Sequence, residues 1–304
     1  MNVKYDKFKN IKRNIFKGKN IGYLFVLPTI VFLLIIMIFP LGYAAYISFF
    51  EVLTHMEKRF VGFANYLNAL TSISFWNSLY VTLFFTVISV IIHMIIGFYL
   101  ASMLSTKVKG SNIFRFLLLI PWMVSQVVTG VIWRWILNAQ YGVGNDILVN
   151  LGVIDKYLPW LAETTLAKIS IITAYSWQCL PFVMIMLYAG MQTIPVQQYE
   201  AAKIDGASKF QRMIYVTIPN LKHVILVTSL MDFIWAFRCF DLPQIMTNGG
   251  PYRSTELLSI YIYKNTFEYF KFGYASAVSI LMLLMVLTFS ILYTNKMLSG
   301  DLNE

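Results

Sequence analysis

Apolar residues run through this chain in long, nearly unbroken stretches separated by short polar connections. Six stretches each reach the ~20 residues that cross a bilayer as a helix: about 21–50, 77–104, 112–136, 166–190, 217–240 and 272–293. Every backbone polar group in hydrocarbon must be paired internally, so runs of this length are predicted as helices. Their length and lack of period-two alternation argue against a β-barrel. Pro28 and Pro40 fall inside the first run, where neighbouring helices can re-satisfy the carbonyls they free. That run is too long for the apolar part of a signal peptide, and no small-x-small cleavage pattern follows it. An uncleaved anchor is expected.

Composition agrees. Of 304 residues, 58% are hydrophobic and only 12% charged, against about 25% charged in soluble domains. The formal net charge of +10 is high enough for a nucleic-acid binder, but its distribution says otherwise. Lysine and arginine concentrate in the N-terminal tail (Lys4 to Lys19), the Lys107–Arg115 turn and the Lys203–Lys222 loop. The intervening loops, 51–76, 138–167 and 241–271, mix both signs and are richer in aromatics. The positive-inside rule then predicts both termini and the 203–222 loop in the cytoplasm, with no nucleic-acid partner. Trp133, Trp135, Tyr141, Trp160 and Trp177 are expected near the membrane–water interface. Cys179 and Cys239 lie in or beside apolar runs and read as reduced, packed thiols. The economical organisation is a basic tail (1–20), one transmembrane domain (21–295) and a short C-terminal tail (296–304).

One connection stands apart. Glu200-Ala-Ala-Lys-Ile-Asp205-Gly206-Ala207-Ser208 follows the fourth run, and Phe210, Met213, Ile214 and Pro219 come after it. Pro195 closes a turn, and 196–204 suits a short amphipathic helix. Gly206 allows a sharp bend. Ala201, Ala202 and Ala207 leave little bulk, so another backbone can approach closely. Phe210, Met213 and Ile214 give the second short helix an apolar face, and Pro219 fits the first turn of the next run. The result is a helix–bend–helix knob with the Glu200 carboxylate beside its tip. On spacing alone, a plain connector between two spans accounts for it equally well.

The residues from Glu200 to Pro219 resemble the cytoplasmic EAA loop of permease subunits in binding-protein-dependent ABC importers. Further segments are similar to the carbohydrate branch of that family: Tyr23 to Pro28, Phe60 to Tyr66, Pro121-Trp122, Ile132 to Trp135, Tyr141 to Asn145, and Thr247 to Pro251 with Gly273-Tyr274. Together they cover most of residues 20–295. The resemblance implies an all-α integral membrane protein of the type I importer permease fold, with six transmembrane helices and both termini cytoplasmic. It implies location in a bacterial cytoplasmic membrane and a carbohydrate substrate. The knob (about 191–219) would dock in a groove of an ATPase. In that carry-over Glu200 pairs with a basic residue, Gly206 sets the bend, Ala201, Ala202 and Ala207 permit close approach, and Asp205 and Phe210 complete the coupling set. A second proline that the family often carries after Pro219 is replaced here by Asn220-Leu-Lys-His223.

The implied partners are a second, similar permease, two ATP-binding subunits, an extracytoplasmic solute-binding protein and membrane lipid. The chain has no Gly-x-x-x-x-Gly-Lys-Ser/Thr loop, so Mg-ATP is expected on the partner ATPases and no cofactor in this chain. Nor is there a catalytic motif for an enzymatic reading. Tyr175, Gln178, Asp232 and Asn248 are candidate substrate-path residues, since carbohydrate recognition combines aromatic faces with amides and hydroxyls. Asp232, deep in a span, is either part of the path or a structural partner to another helix. Arg238 and Asp241 are spaced to pair, Arg134 to snorkel, and His93, isolated in sequence from other ligand types, to pack between helices. The alternative function is an ion-coupled secondary sugar carrier, for which one buried carboxylate and no detectable repeat are thin support.

Overall fold

The computed structural model describes residues 19–52, 57–105 and 111–301; the predicted basic tail up to residue 18 and residues 302–304 lie outside them. The described residues fall into two units, one within 1–69 and 271–280 and the other within 70–270 and 281–304.

In the first unit, α1 (Lys19–Leu33) and α2 (Phe39–Ile47) are joined by a π turn at Leu34–Ile38. The Phe39 amide reaches back five residues to the Leu34 carbonyl. This wide turn precedes Pro40, whose missing N–H and bulky ring disfavour a regular bond there. Two short strands follow, β1 (Phe50–Val52) and β2 (Lys58–Phe60), paired antiparallel with Glu51 opposite Arg59. Asn65, at the start of α3 (Ala64–Thr71), donates from Nδ2 to the carbonyls of Ser48 and Phe50 at 2.9 Å each.

The second unit is built on α4 (Ile73–Ser105), whose 33 residues span about 50 Å, longer than a ~30 Å hydrocarbon core. Then come α5 (Ser111–Met123), α6 (Gln126–Ile136), α7 (Val143–Asn150) and α8 (Thr164–Gln192). Short helices α9 (Val196–Ile204), α10 (Lys209–Arg212) and α11 (Ile218–Asn220) lead into α12 (Lys222–Phe237). Segments α13 (Asp241–Thr247) and α14 (Leu258–Tyr263) precede α15 (Phe272–Asp301), whose residues up to Ile280 belong to the first unit and the rest to the second. One apolar cluster joins Val81 and Phe85 of α4 to Ile171 and Tyr175 of α8 and to Leu242, Leu257 and Ile260. Another joins Ala101 and Leu104 to Val183, Leu187, Met191 and Leu221.

Among the described residues, four helices are long and apolar enough to cross a membrane: Phe25–Ile47, Ile73–Ser105, Thr164–Gln192 and Phe272–Lys296. Two more of the expected spans are bent. Arg115–Met123 and Gln126–Ile136 meet at 99°, and Lys209–Asn220 and Lys222–Phe237 at 73°. The apolar runs 112–136 and 217–240 are therefore not single straight rods. At the first break Ser125 restarts the helix, its Oγ accepting from the Val128 amide at 3.3 Å. The second break is at Leu221, fully buried against α8. A Cβ at Gly190 would come 2.7 Å from Leu221 Cδ2 and 3.0–3.1 Å from the Val224 methyls, so any larger residue would force these side chains to shift.

A polar seam runs down one side of α4. Ser78, Thr82, Thr86, Ser89 and His93, spaced at three or four residues, are all fully buried. A stripe at that spacing marks one helical face, here turned into the packing rather than outward.

Candidate functional site

The predicted knob is present and is shaped by two capping motifs in direct succession. Helix α9 ends in a Schellman motif: the Gly206 amide donates to the Lys203 carbonyl at 3.1 Å and the Ala207 amide to Ala202 at 2.9 Å. Gly206 has φ +79°, and nothing lies within 4 Å of where a Cβ would stand. Glycine is thus required by conformation, not by space. Ala202 and Ala207, the pair this motif brings together, are half-buried. Ser208 then caps α10 in a reciprocal box. Its amide donates to Gln211 Oε1 at 2.8 Å, and the Gln211 amide donates to Ser208 Oγ at 3.3 Å. This Ser-x-x-Gln pattern was legible in the sequence and went unused there.

The knob is braced against its own exit. Tyr199 Oη and Thr217 Oγ1 lie 3.1 Å apart, and Asn220 Nδ2 donates to Gln198 Oε1 at 2.8 Å. A second π turn, Met213–Thr217, precedes Pro219 as the first precedes Pro40. What this frame displays is apolar. Ile204 is 86% exposed, Phe210 64% and Tyr215 75%, with Glu200, Ala201 and Asp205 exposed among them. A capped knob presenting large apolar side chains and a carboxylate is suited to docking in a groove. The seven residues of the predicted coupling set thus lie along one short helix, its cap and the first turn of the next.

The four candidate path residues do not meet in one cavity. Tyr175 is fully buried, packed on Phe85 and His93 with ring centroids at 5.0 and 5.6 Å. Gln178 donates from Nε2 to the Val124 carbonyl at 2.5 Å, holding the break between α5 and α6. Asp232 is buried on α12 and paired with His93 of α4, whose Nδ1 lies 2.8 and 3.1 Å from its two carboxylate oxygens. Asn248 ends α13 in the left-handed region at φ 50°, exposed, its carbonyl accepting from Lys264 Nζ at 2.9 Å. It lines an open 360 Å³ cavity with Arg134, Asn138, Gln244 and Thr247. Arg134 Nη1 donates there to the Ile245 carbonyl at 3.4 Å.

Sequence reasoning missed the partner of Asp232, because its histidine lies 139 positions away. It also missed a buried glutamate. Glu256 Oε1 accepts from Arg253 Nη2 at 2.6 Å and from Ser78 Oγ at 3.2 Å, and its other oxygen meets Lys264 at 3.5 Å. Conversely, among the described residues no ion pair joins Arg238 to Asp241, and both side chains are exposed. Helix α12 ends at Phe237 and Phe240 leaves helical geometry (φ −131°), so the i, i+3 spacing carries no helical register there. Among the described residues no three His, Cys, Asp or Glu side chains are grouped to hold a metal.

Helices of bilayer length joined by a capped helix–bend–helix loop define the class of an integral membrane protein. The family described as binding-protein-dependent transport system inner membrane component matches residues 93–295, and this chain belongs to it. The chain is 37% identical over 279 residues to the trehalose/maltose transport system permease protein MalF of Thermococcus litoralis, covering 91% of this chain and 94% of that protein. It is 35% identical over 275 residues to the lactose transport system permease protein LacF of Rhizobium radiobacter, covering 89% and 92%. In fold it is similar to a chain of a bacterial ABC transporter that imports the acidic polysaccharide alginate: TM-score 0.82 at 20% identity, over 96% of this chain and 98% of that one. The protein is accordingly a non-catalytic permease subunit of an ABC importer, and the ion-driven carrier reading has no support.

Proposed function

We propose that this permease imports a carbohydrate across a bacterial cytoplasmic membrane and that residues 196–220 are its ATPase-coupling element. The observation that carries the second part is the capped knob itself: Gly206 at φ +79° between a Schellman motif and a capping box, with Phe210 and Ile204 exposed beside Glu200. Such a unit is ordered before it meets a partner, so little conformational entropy is lost on docking. The names of the sugar-transport relatives support a carbohydrate as cargo.

In this reading the chain has six spans and cytoplasmic termini and pairs with a second permease. Two ATPases hold Mg-ATP, and their approach drives the two coupling knobs together. The membrane cavity then opens outward to a solute-binding protein, and hydrolysis lets it close and release the sugar inward. Glu200 faces a basic residue of the ATPase, and Ala201, Ala202 and Ala207 let its backbone come close. Asn248, exposed and lining an open cavity with Arg134, would meet cargo in this reading.

Affinity purification of the tagged chain from its native host in mild detergent, with mass spectrometry of what accompanies it, tests the assembly. A second permease and a Walker-containing ATPase are expected, and a co-purifying binding protein would lead to the sugar. Recovery of the chain alone, able to move solute in liposomes without ATP, would refute the proposal.

A further inference from the structure

We propose that the buried His93–Asp232 pair is the joint through which movement of the coupling knob reaches α4, making both of them positioning residues for transport. The inference rests on the coupling reading of residues 196–220. The knob leads through α11 and the bend at Leu221 into α12. From that bend α12 is one uninterrupted helix, and Asp232 stands eleven residues along it (232 − 221), about 16 Å at the α-helical rise. There it meets His93 with both side chains sealed from solvent, 0% and 1% exposed.

The chemistry of the pair makes it a fixed tie. His93 Nδ1 lies within hydrogen-bond distance of both Asp232 carboxylate oxygens, so the contact joins two polar side chains of different helices where no solvent reaches them. The other titratable groups that face it are the Tyr175 phenol and the Cys179 thiol of α8. Neither of these is a lysine, arginine or carboxylate, so no rival counter-ion from them competes for either partner. Apolar helix contacts can slide by small steps at modest cost. Parting this pair would strand two polar groups in the packing at once. A displacement of α12 is therefore passed to α4 at this level instead of being absorbed by slippage.

The test uses the assembled transporter in proteoliposomes and reads sugar imported per ATP hydrolysed, a ratio that a purely structural contact does not change. An apolar pair, His93→Leu with Asp232→Leu, removes the tie without leaving a lone charge. It is expected to assemble and hydrolyse ATP while the ratio falls at least tenfold. An amide pair, His93→Gln with Asp232→Asn, keeps a cross-helix hydrogen bond and is expected within threefold of the unmodified protein. The proposal is overturned if the apolar pair transports at the normal ratio or if the amide pair is as defective as the apolar one. It is equally overturned if the apolar pair fails to assemble while the amide pair works, for the contact is then structural alone. Normal transport by Glu200→Ala and Gly206→Pro variants in the same assay would instead remove the coupling reading, a separable result.

Discussion

Substitution at Gly206 separates backbone shape from every other property of the knob. Nothing stands within 4 Å of its missing Cβ, so alanine meets no steric obstacle and its effect is conformational. Holding an L residue in the left-handed region costs roughly 1–2 kcal/mol, with asparagine cheaper because its short polar side chain suits that region. At about 1.4 kcal/mol per tenfold change, Gly206→Ala should lower the equilibrium constant for the docking-competent bend by about five- to thirtyfold. Apparent affinity for the ATPase should fall by up to that factor. Proline fixes φ near −65° and deletes the N–H that donates to Lys203 at 3.1 Å, a penalty of about 3 kcal/mol or more. Titrating purified ATPase against the permease in nanodiscs should rank the series glycine, asparagine, alanine, proline. Equal affinity for glycine and alanine, or a functional proline variant, would refute the reasoning.

Phe210→Asp should insert normally yet bind the ATPase about ten- to a hundredfold more weakly. Burying such a side chain contributes roughly 1.5–3 kcal/mol, and 64% of its surface is open in this chain; pull-down titration measures it. Gly190→Ala should destabilise the protein by about 1–3 kcal/mol through overpacking, because its Cβ would lie 2.7 Å from Leu221 Cδ2. A lowered Tm in detergent reads this, and an unchanged Tm would show that the crossing can relax. The Tyr157 phenol is held above its ordinary value of 10.0, first by its hydrogen bond to Asp146, then by desolvation and the carboxylate's charge. The folded state thus favours the neutral phenol, and this contribution is present below pH ~10. It is lost as pH rises through the raised value. Asp146→Asn should move the tyrosinate transition seen by ultraviolet difference spectroscopy back towards 10.

The knob was readable because its determinants are local. A glycine after a short helix, small residues about it and a proline beyond all act within twenty positions, and capping chemistry fixes them whatever surrounds them. The apolar runs were readable because a bilayer imposes a length. The bends were less so. Pro121 and Pro219 hinted at them, but the 73° turn at Leu221 also depends on Gly190 admitting it, a contact between helices. The His93–Asp232 pair was invisible for the same reason: each residue is isolated in its own stretch, and only packing of α4 on α12 joins them. Arg238 and Asp241 erred the other way, because their spacing presumed a helix that had already ended.

The central claim is that ATP on a partner drives cargo through this permease by way of the knob. Sugar uptake into proteoliposomes containing the co-purified complex, with and without internal ATP and with Glu200→Ala alongside, tests it most directly. The account predicts accumulation only with ATP and binding protein, and sharply reduced accumulation by Glu200→Ala at normal membrane insertion. Uptake that proceeds without ATP, or is indifferent to Glu200→Ala and Gly206→Pro alike, would contradict it.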